Sequence, residues 1–370
     1  MDKQTGFVWH EVYGWHEPGN AAAFVQPGGY IQPDRHAENS DTKRRLAELV
    51  AVSGLGGKLK RIAATPATVE DICLFHTKEY VAKIQEMSAG SGGDAGEITN
   101  FAHGGYDIAA LSAGGVIELA RSVWKGEVKN GYALCRPPGH HADADRGRGF
   151  CIFGNAVIAI KRLQKEFGVK RVATFDWDVH HGNGTQTAFY ADPSVLTISI
   201  HQDRYFPPDM GMVSQNGEGP GAGANINIPL PPGSGHGAYL EAIEKVVIPA
   251  FDRFKPEIIF VPSGFDASAM DPLGRMLCNS ETYRLMTRKL MIAAERLCGG
   301  KLVMSHEGGY STAYVPFCGI AVLEELSGIK TDVEDPFMGF FGSMPGQELQ
   351  PHQLSVINES AALVSKIPVG

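Results

Sequence analysis

Short apolar runs alternate with amphipathic segments along most of the chain. The apolar runs are rich in β-branched residues, a pattern typical of strands, whereas apolar positions three or four residues apart predict helices. The patterns predict six strands, at residues 7–10, 132–135, 171–176, 195–201, 257–262 and 301–306. They predict seven helices, at residues 41–52, 69–75, 105–124, 155–167, 235–254, 280–297 and 311–326.

This order of elements predicts an α/β fold with a mostly parallel central sheet flanked by helices. Residues 258–261 are apolar without alternation, as expected of a strand that is covered on both faces. Because open parallel sheets bind ligands at the carboxyl ends of their strands, we expect an active site there. With neither an internal repeat nor a linker in the pattern, we predict a single domain over residues 1–370.

Composition narrows the class of protein. The net charge of -8 disfavours nucleic-acid binding, which relies on a basic surface. The basic cluster at residues 43–45 follows Ser40 and Asp41, which resemble helix-capping residues, so we expect it on a solvated helix face.

The remaining composition suggests a cytoplasmic protein without membrane contact. The N-terminal residues lack a long apolar segment, and no run approaches the roughly 18 apolar residues of a membrane span. The six cysteines include no CxxC pair, and several lie in apolar segments, so we expect reduced and mostly buried thiols.

Candidate metal ligands follow two predicted strands. Asp176, Asp178 and His180 are spaced by two, so an extended backbone places them on the same side. Asp266 follows another strand. Carboxylates that converge in this way are costly to bury unless a cation joins them. Three nitrogen or oxygen ligands with one open position are typical of catalytic zinc, although iron(II) and manganese(II) accept the same ligands.

Two adjacent histidines, His140 and His141, follow a turn that two prolines and a glycine make rigid. Histidine titrates near neutral pH, so the pair can serve as base and acid. Each ring needs an orienting partner on its second nitrogen, for which Asp176 and Asn183 are candidates. Isolated histidine pairs are usually structural, but the rigid turn favours a function here.

Aromatic residues complete the candidate site. Tyr310 follows two glycines after a predicted strand, and its hydroxyl could donate to an oxyanion. Phe150 and Phe206 lie on predicted loops. Either they belong to the core, as most aromatic residues do, or they line a channel for a linear aliphatic chain.

Four segments in this order, residues 136–141, 176–185, 263–266 and 307–310, resemble the zinc-dependent histone deacetylase family. The resemblance covers residues from about 13 to 326 and leaves 327–370 as a peripheral tail. It is greatest to the class II-like bacterial histone deacetylase-like amidohydrolases. It implies the arginase-deacetylase fold and hydrolysis of an N-acyl amide, above all deacetylation of acetyl-lysine.

The resemblance also implies roles for the site residues. Its zinc ligands would be Asp178, His180 and Asp266. His141 would be the general base and His140 its acid or electrostatic partner, oriented by Asp176. Asn183 stands where class I enzymes carry aspartate, and its neutral amide leaves His141 less biased toward imidazolium. Tyr310 would polarise the amide carbonyl.

For the substrate, the resemblance implies an acyl-lysine tunnel walled by Phe150 and Phe206, with the Gly149 carbonyl accepting the amide N–H. Polyamine-selective relatives carry glutamate where this chain has Leu273, which favours acyl-lysine. An acetylpolyamine and a small-molecule or xenobiotic amide stay open as alternatives, because the loop at 15–33 could shape the pocket.

The family further implies structural potassium and self-association into a dimer or tetramer. One potassium site would use Asp176, Asp178, His180, Ser199 and Ile200, and a second would use the carbonyls of Phe189, Asp192 and Val195.

Two other readings fit less well. A two-manganese ureohydrolase would require further carboxylates, but Phe265 and Ala267 flank Asp266. A non-catalytic acyl-lysine binding protein would not need Tyr310 together with all the metal ligands.

Overall fold

The computed structural model describes residues 4–369. Its centre is a sheet of eight strands, each parallel to its neighbours. In chain order they are β1 (Gly6–Val8), β2 (Lys60–Arg61), β3 (Gly131–Ala133), β4 (Val172–Asp176), β5 (Val195–Gln202), β6 (Asn225–Leu230), β7 (Ile258–Ser263) and β8 (Leu302–His306). Across the sheet the order is β6-β5-β4-β7-β8-β3-β1-β2.

Helices cover both faces of this sheet. They are α1 (Asp41–Val52), α2 (Val69–Ile72), α3 (Lys78–Ala89), α4 (Gly105–Trp124), α5 (Asn155–Phe167), α6 (Asn183–Phe189), α7 (His236–Ala242), α8 (Ile248–Phe254), α9 (Ser280–Cys298), α10 (Val315–Ser327), α11 (Met338–Phe341) and α12 (Pro351–Ala362). The helices α4 and α5 pack together on one face, and α1, α9 and α10 pack on the other.

The strand β7 shows why its sequence lacks alternation. Ile258 and Phe260 belong to the hydrophobic core beneath α4 and α5, whereas Ile259 and Val261 belong to the core on the opposite face. All four side chains are at most 1% exposed. A strand covered on both faces needs apolar residues at every position, so the interpretation of residues 258–261 is confirmed.

All six predicted strands are present, with ends shifted by up to two residues. Residues 235–254 are helical almost throughout, since a π-helical turn at Ile243–Val247 joins α7 and α8. The last predicted helix begins at Val315 rather than at 311. The pattern missed β2, β6, α3, α6, α11 and α12.

The expected place of the basic cluster is wrong for Lys43. Lys43, Leu46 and Val50 stand three and seven residues apart, so the helical period puts them on one face of α1, and all three are buried. Arg44 and Arg45 are exposed as expected.

The C-terminal segment packs against the edge of the sheet. The helix α12 contacts β6, and both Ile357 and Ile367 are at most 1% exposed. Among the described residues, none of the helices is both long enough and apolar enough to span a membrane.

Candidate active site

Loops from four neighbouring strands meet at the carboxyl edge of the sheet. The residues after β4 and β7 carry carboxylates, and those after β3 and β8 carry histidine and tyrosine. Because these strands are adjacent and parallel, their ends lie side by side. The sheet topology therefore collects side chains that are far apart in the sequence.

A buried cluster of possible metal ligands lies at the centre of this edge. Candidate ligand atoms of Asp178, His180 and Asp266 lie within 4.8 Å of one another. The Nδ1 atom of His180 is 3.1 Å from Asp178 Oδ1 and 3.1 Å from Asp266 Oδ2. Both carboxylates are fully buried. Burial and the neighbouring Asp178 raise the pKa of Asp266 to about 6, so two charges here are costly without a cation.

The surroundings of the cluster also fit a metal. The backbone N–H of Gly308 donates to Asp178 Oδ2 at 2.8 Å, and that of Val179 donates to Asp266 Oδ1 at 2.8 Å. A Cβ atom at Gly308 would lie only 2.0 Å from Asp266 Oδ2, so the carboxylates require glycine at this point. Two oxygen ligands and one nitrogen ligand fit the donor set of catalytic zinc, and one of the three residues, His180, also lines a cavity.

The two adjacent histidines have different partners. The Nδ1 atom of His140 lies 2.9 Å from Asp176 Oδ2, whereas His141 Nδ1 lies 2.7 Å from Asn183 Oδ1. The rings are close, with centroids 3.9 Å apart, and both are buried. The partners predicted from the sequence are therefore the residues that contact these rings.

This arrangement separates the pKa values of the pair. Burial opposes a charge on His140, but the carboxylates of Asp178 and Asp176 outweigh it and raise its pKa to about 10. Burial and the nearby rings of His140 and His180 hold the pKa of His141 well below its usual value. One ring is thus suited to carry a proton and the other to accept one.

Glu307 is a positioning residue to which sequence reasoning gave no role. Its Oε2 atom accepts hydrogen bonds from the backbone N–H groups of Gly139 at 2.6 Å and His140 at 3.0 Å. Burial raises the pKa of this carboxyl group to about 7. Its position beside Tyr310 in a recognisable segment was the available signal, but its backbone partners were not visible in the sequence.

A second positioning carboxylate that the sequence did not reveal is Asp271. Its Oδ2 atom accepts from the backbone N–H of Tyr310 at 2.7 Å, and Oδ1 accepts from that of Leu273 at 2.9 Å. One buried side chain thereby holds both residues in place. The ring of Tyr310 packs edge-on against Phe150, with centroids 5.8 Å apart.

A cavity of about 280 Å³ leads from the surface to these groups. It brings together the predicted residues Gly149, Phe150, Phe206, Leu273 and Tyr310 with His141 and His180. Phe24, Ile98 and Tyr205 also line it and were not predicted from the sequence.

The geometry of Gly149 follows from its neighbours in this cavity. Its φ is 51°, and a Cβ atom would lie 2.5 Å from His141 Cδ2 and 2.9 Å from Phe206 Cε1. A side chain here would displace both rings, so the close approach depends on glycine.

The residues implied for potassium form two contiguous groups. Asp176 is the register partner of Ser199, which precedes Ile200 in β5, while Asp178 and His180 follow in the adjoining loop. In the other group, Asp192 N–H donates to the Phe189 carbonyl at 2.9 Å, and Val195 N–H donates to the Asp192 carbonyl at 3.4 Å. Cation binding at either group stays a prediction.

Two other features compete less well as functional sites. His140, Cys151 and Glu307 also cluster, but burial raises the pKa of the Cys151 thiol well above its usual value, which disfavours a thiolate ligand. A larger hollow of about 790 Å³ lies beside α1, and it is lined mainly by apolar and exposed charged residues away from the histidines.

Sequence and structure comparisons find several known proteins that are similar to this chain. The model of the histone deacetylase domain matches residues 36–326. A histone deacetylase-like amidohydrolase of Pseudomonas aeruginosa is 45% identical, over 100% of this chain and 98% of its own length. A probable deacetylase of Archaeoglobus fulgidus is 37% identical over 88% of this chain and 86% of its own. The crystal structure of the HDA15 HD domain superposes with a TM-score of 0.86 at 30% identity, covering 98% and 95% of the two chains.

Proposed function

This chain belongs to the histone deacetylase family and is an amidohydrolase, and from that premise we propose that it removes acetyl groups from lysine side chains with zinc as its metal. The observation that carries the proposal is the buried cluster of Asp178, His180 and Asp266, which adjoins a largely apolar cavity through His180. Zinc bound there would polarise the amide carbonyl and acidify a water molecule.

The substrate would enter between two aromatic rings. Phe150 and Phe206 line the cavity on loops that follow β3 and β5, and apolar walls suit the methylene groups of a lysine side chain. The carbonyl of Gly149, a residue that lines the same cavity, would accept the amide N–H. The lysine side chain of the substrate would displace water from the cavity, which strengthens the polar contacts at its base.

The hydrolysis then proceeds with the two histidines and the tyrosine in separate roles. The neutral ring of His141 takes a proton from the attacking water as its oxygen bonds to the carbonyl carbon. The hydroxyl group of Tyr310 donates to the carbonyl oxygen, on which negative charge develops. The carbon–nitrogen bond breaks as the histidine pair delivers a proton to the nitrogen, which releases acetate and the free amine.

The lining of the cavity favours acyl-lysine over an acetylated polyamine. Phe24, Ile98 and Leu273 are apolar, and none of the residues that line the cavity is a free carboxylate. Glu97, beside Ile98, is paired with Arg148 at 2.8 Å. A second cationic amine would therefore find little attraction in this part of the described structure.

A comparison of substrates tests the proposal. The zinc-loaded protein is given an acetyl-lysine peptide, acetylspermidine and an aryl acetamide, each with and without a hydroxamate inhibitor. We expect the highest kcat/KM for the peptide, and inhibition by hydroxamate. A higher kcat/KM for acetylspermidine or the aryl amide would overturn the substrate assignment. The same turnover before and after zinc removal would overturn the assignment of zinc as the catalytic metal.

Three further features belong to the same proposal. Bound potassium would support the loops, the chain would associate with copies of itself, and it would act in the cytoplasm. The exposed rings of Trp15 and Tyr30 are compatible with self-association.

A further inference from the structure

A buried ammonium group lies against the ring of Tyr310. Lys43 is 1% exposed, and its Nζ atom is 5.5 Å from the centroid of that ring. The ring is itself 8% exposed and packs against Phe150. Lysine is almost never fully buried unless its charge is paired, so the partners of this ammonium group decide what it does.

The charges around Lys43 do not cancel within its cluster. Glu38 Oε1 lies 3.2 Å from Lys43 Nζ and 2.9 Å from Arg136 Nε, so two buried cations share one carboxylate. Three further N–H groups of Arg136 donate to backbone carbonyls, those of Tyr13, His16 and Glu38.

The ammonium group also lacks an alternative partner. Within the described structure, Lys43 Nζ makes no hydrogen bond of good geometry, although it lies at ion-pair distance from Glu38. No network of polar groups therefore offsets the excess positive charge of the cluster, and that charge acts on the adjacent ring of Tyr310.

We propose that Lys43 is a positioning residue that holds Tyr310 and strengthens its hydroxyl group as a donor to the oxyanion. A cation near an aromatic face is attracted by the ring, which fixes the orientation of the phenol. The same positive charge favours the negative charge that develops at the far end of the hydrogen bond. The inference rests on the proposed role of Tyr310.

A double-mutant cycle separates this role from a structural one. Lys43→Met removes the buried charge, and Arg45→Met is the matched control, because it removes the same charge from the exposed side of α1. Both are measured in the wild-type and Tyr310→Phe backgrounds, with an acetyl-lysine peptide as substrate. Zinc content and thermal unfolding are recorded for each variant.

We expect Lys43→Met to lower kcat by up to about 30-fold, the upper range for a desolvated cation–π contact, with little change in KM. The loss should vanish when Tyr310 is already phenylalanine, and Lys43→Arg should retain most of the activity. Arg45→Met should match the wild type.

An equal loss in both backgrounds, or none in either, would overturn the proposal. If Lys43→Met does not fold, Lys43→Gln takes its place. If neither variant folds, Lys43 serves the stability of the fold, and its proposed role in positioning Tyr310 is overturned. Full activity of Tyr310→Phe would instead contradict the proposed function, which keeps the two failures distinct.

Discussion

The amide oxygen of Asn183 lies 2.7 Å from the Nδ1 atom of His141. The orientation of the amide is fixed, because its Nδ2 atom donates to the His141 carbonyl at 3.0 Å and faces Asp143 Oδ1 at 3.3 Å. The oxygen must therefore accept, and His141 carries its proton on Nδ1. That tautomer leaves the Nε2 lone pair free to take a proton from water.

Loss of this contact should impair catalysis more than folding. We expect Asn183→Ala to lower kcat on the order of 10²-fold, because the His141 ring loses its orienting partner. Steady-state kinetics on an acetyl-lysine peptide measure the effect.

The comparison variant is Asn183→Asp, which keeps an acceptor oxygen toward His141 Nδ1 but replaces the donor that faces the His141 carbonyl and Asp143 by a second oxygen. This variant should retain clearly more activity than Asn183→Ala. If the two variants lost activity equally, orientation of His141 would not be the function of Asn183.

The hydroxyl group of Tyr310 gives a second prediction. Tyr310→Phe should lower turnover on the order of 10²–10³-fold, the usual cost of removing one oxyanion donor, while zinc content and the unfolding temperature stay unchanged. Tyr314→Phe is the matched control, since its hydroxyl group bonds Ser280 and Asp335 outside the cavity. Unchanged turnover of Tyr310→Phe would contradict its role.

The strands that carry the site were predictable because their apolar runs are continuous and their polar residues follow at once. The strand β6 was missed because Asn225 and Asn227 interrupt its apolar pattern, yet both are buried. Their amides are satisfied by Gln186, a partner that only the tertiary structure supplies. Edge strand β2 has two exposed residues, which is too few for a periodicity.

The side chains of the candidate site were predictable where their residue type is unusual at a strand end. Glu307 and Asp271 were not assigned, because both act on backbone N–H groups, which leave no trace in the sequence. Lys43 was placed on the solvated face because it belongs to a basic run that follows the capping residues Ser40 and Asp41. The helical period places Lys43 on the buried face of α1, and this decides its position in spite of the basic residues that follow it.

Substrate choice should depend on Leu273, which is 9% exposed and lines the cavity. We expect Leu273→Glu to raise the ratio of kcat/KM for acetylspermidine to that for an acetyl-lysine peptide on the order of tenfold, because a carboxylate there attracts the distal amine. Leu273→Gln, of the same size without charge, should leave the ratio near its original value. An equal ratio in both variants would rule out attraction by charge.

Acid sensitivity should trace in part to His76, which lies away from the metal cluster. Its Nε2 atom accepts from Gly154 N–H at 2.9 Å, and burial lowers its pKa to about 3. Protonation therefore favours the unfolded chain. The stabilisation from the neutral ring is complete above a pH of about 6.5 and is lost as the pH falls toward 3.

Replacing His76 by glutamine should flatten this dependence. Each pH unit in that window is worth about 1.4 kcal/mol, so between pH 6.5 and 4.5 the wild type should lose roughly 2–3 kcal/mol more than His76→Gln. Urea unfolding at several pH values measures the difference. His103→Gln is the control, since His103 is exposed. Parallel pH profiles for the wild type and His76→Gln would contradict the assignment.

The strictest steric requirement of the proposed metal site lies at Gly308. A Cβ atom there would lie 2.0 Å from Asp266 Oδ2 and 2.7 Å from Asp178 Oδ2, distances at which one carboxylate or the loop must move. We expect Gly308→Ala to lower zinc content and activity together, each by at least about tenfold, since disturbing the groups that hold metal ligands commonly costs 10–100-fold in metal affinity. Gly57→Ala is the control, because an added Cβ there meets nothing within 4 Å. Zinc is measured by metal analysis after dialysis and activity with an acetyl-lysine peptide. If the variant kept its zinc but lost activity, the substitution would have displaced Tyr310 rather than the metal ligands, because Gly308 and Tyr310 lie in the same loop.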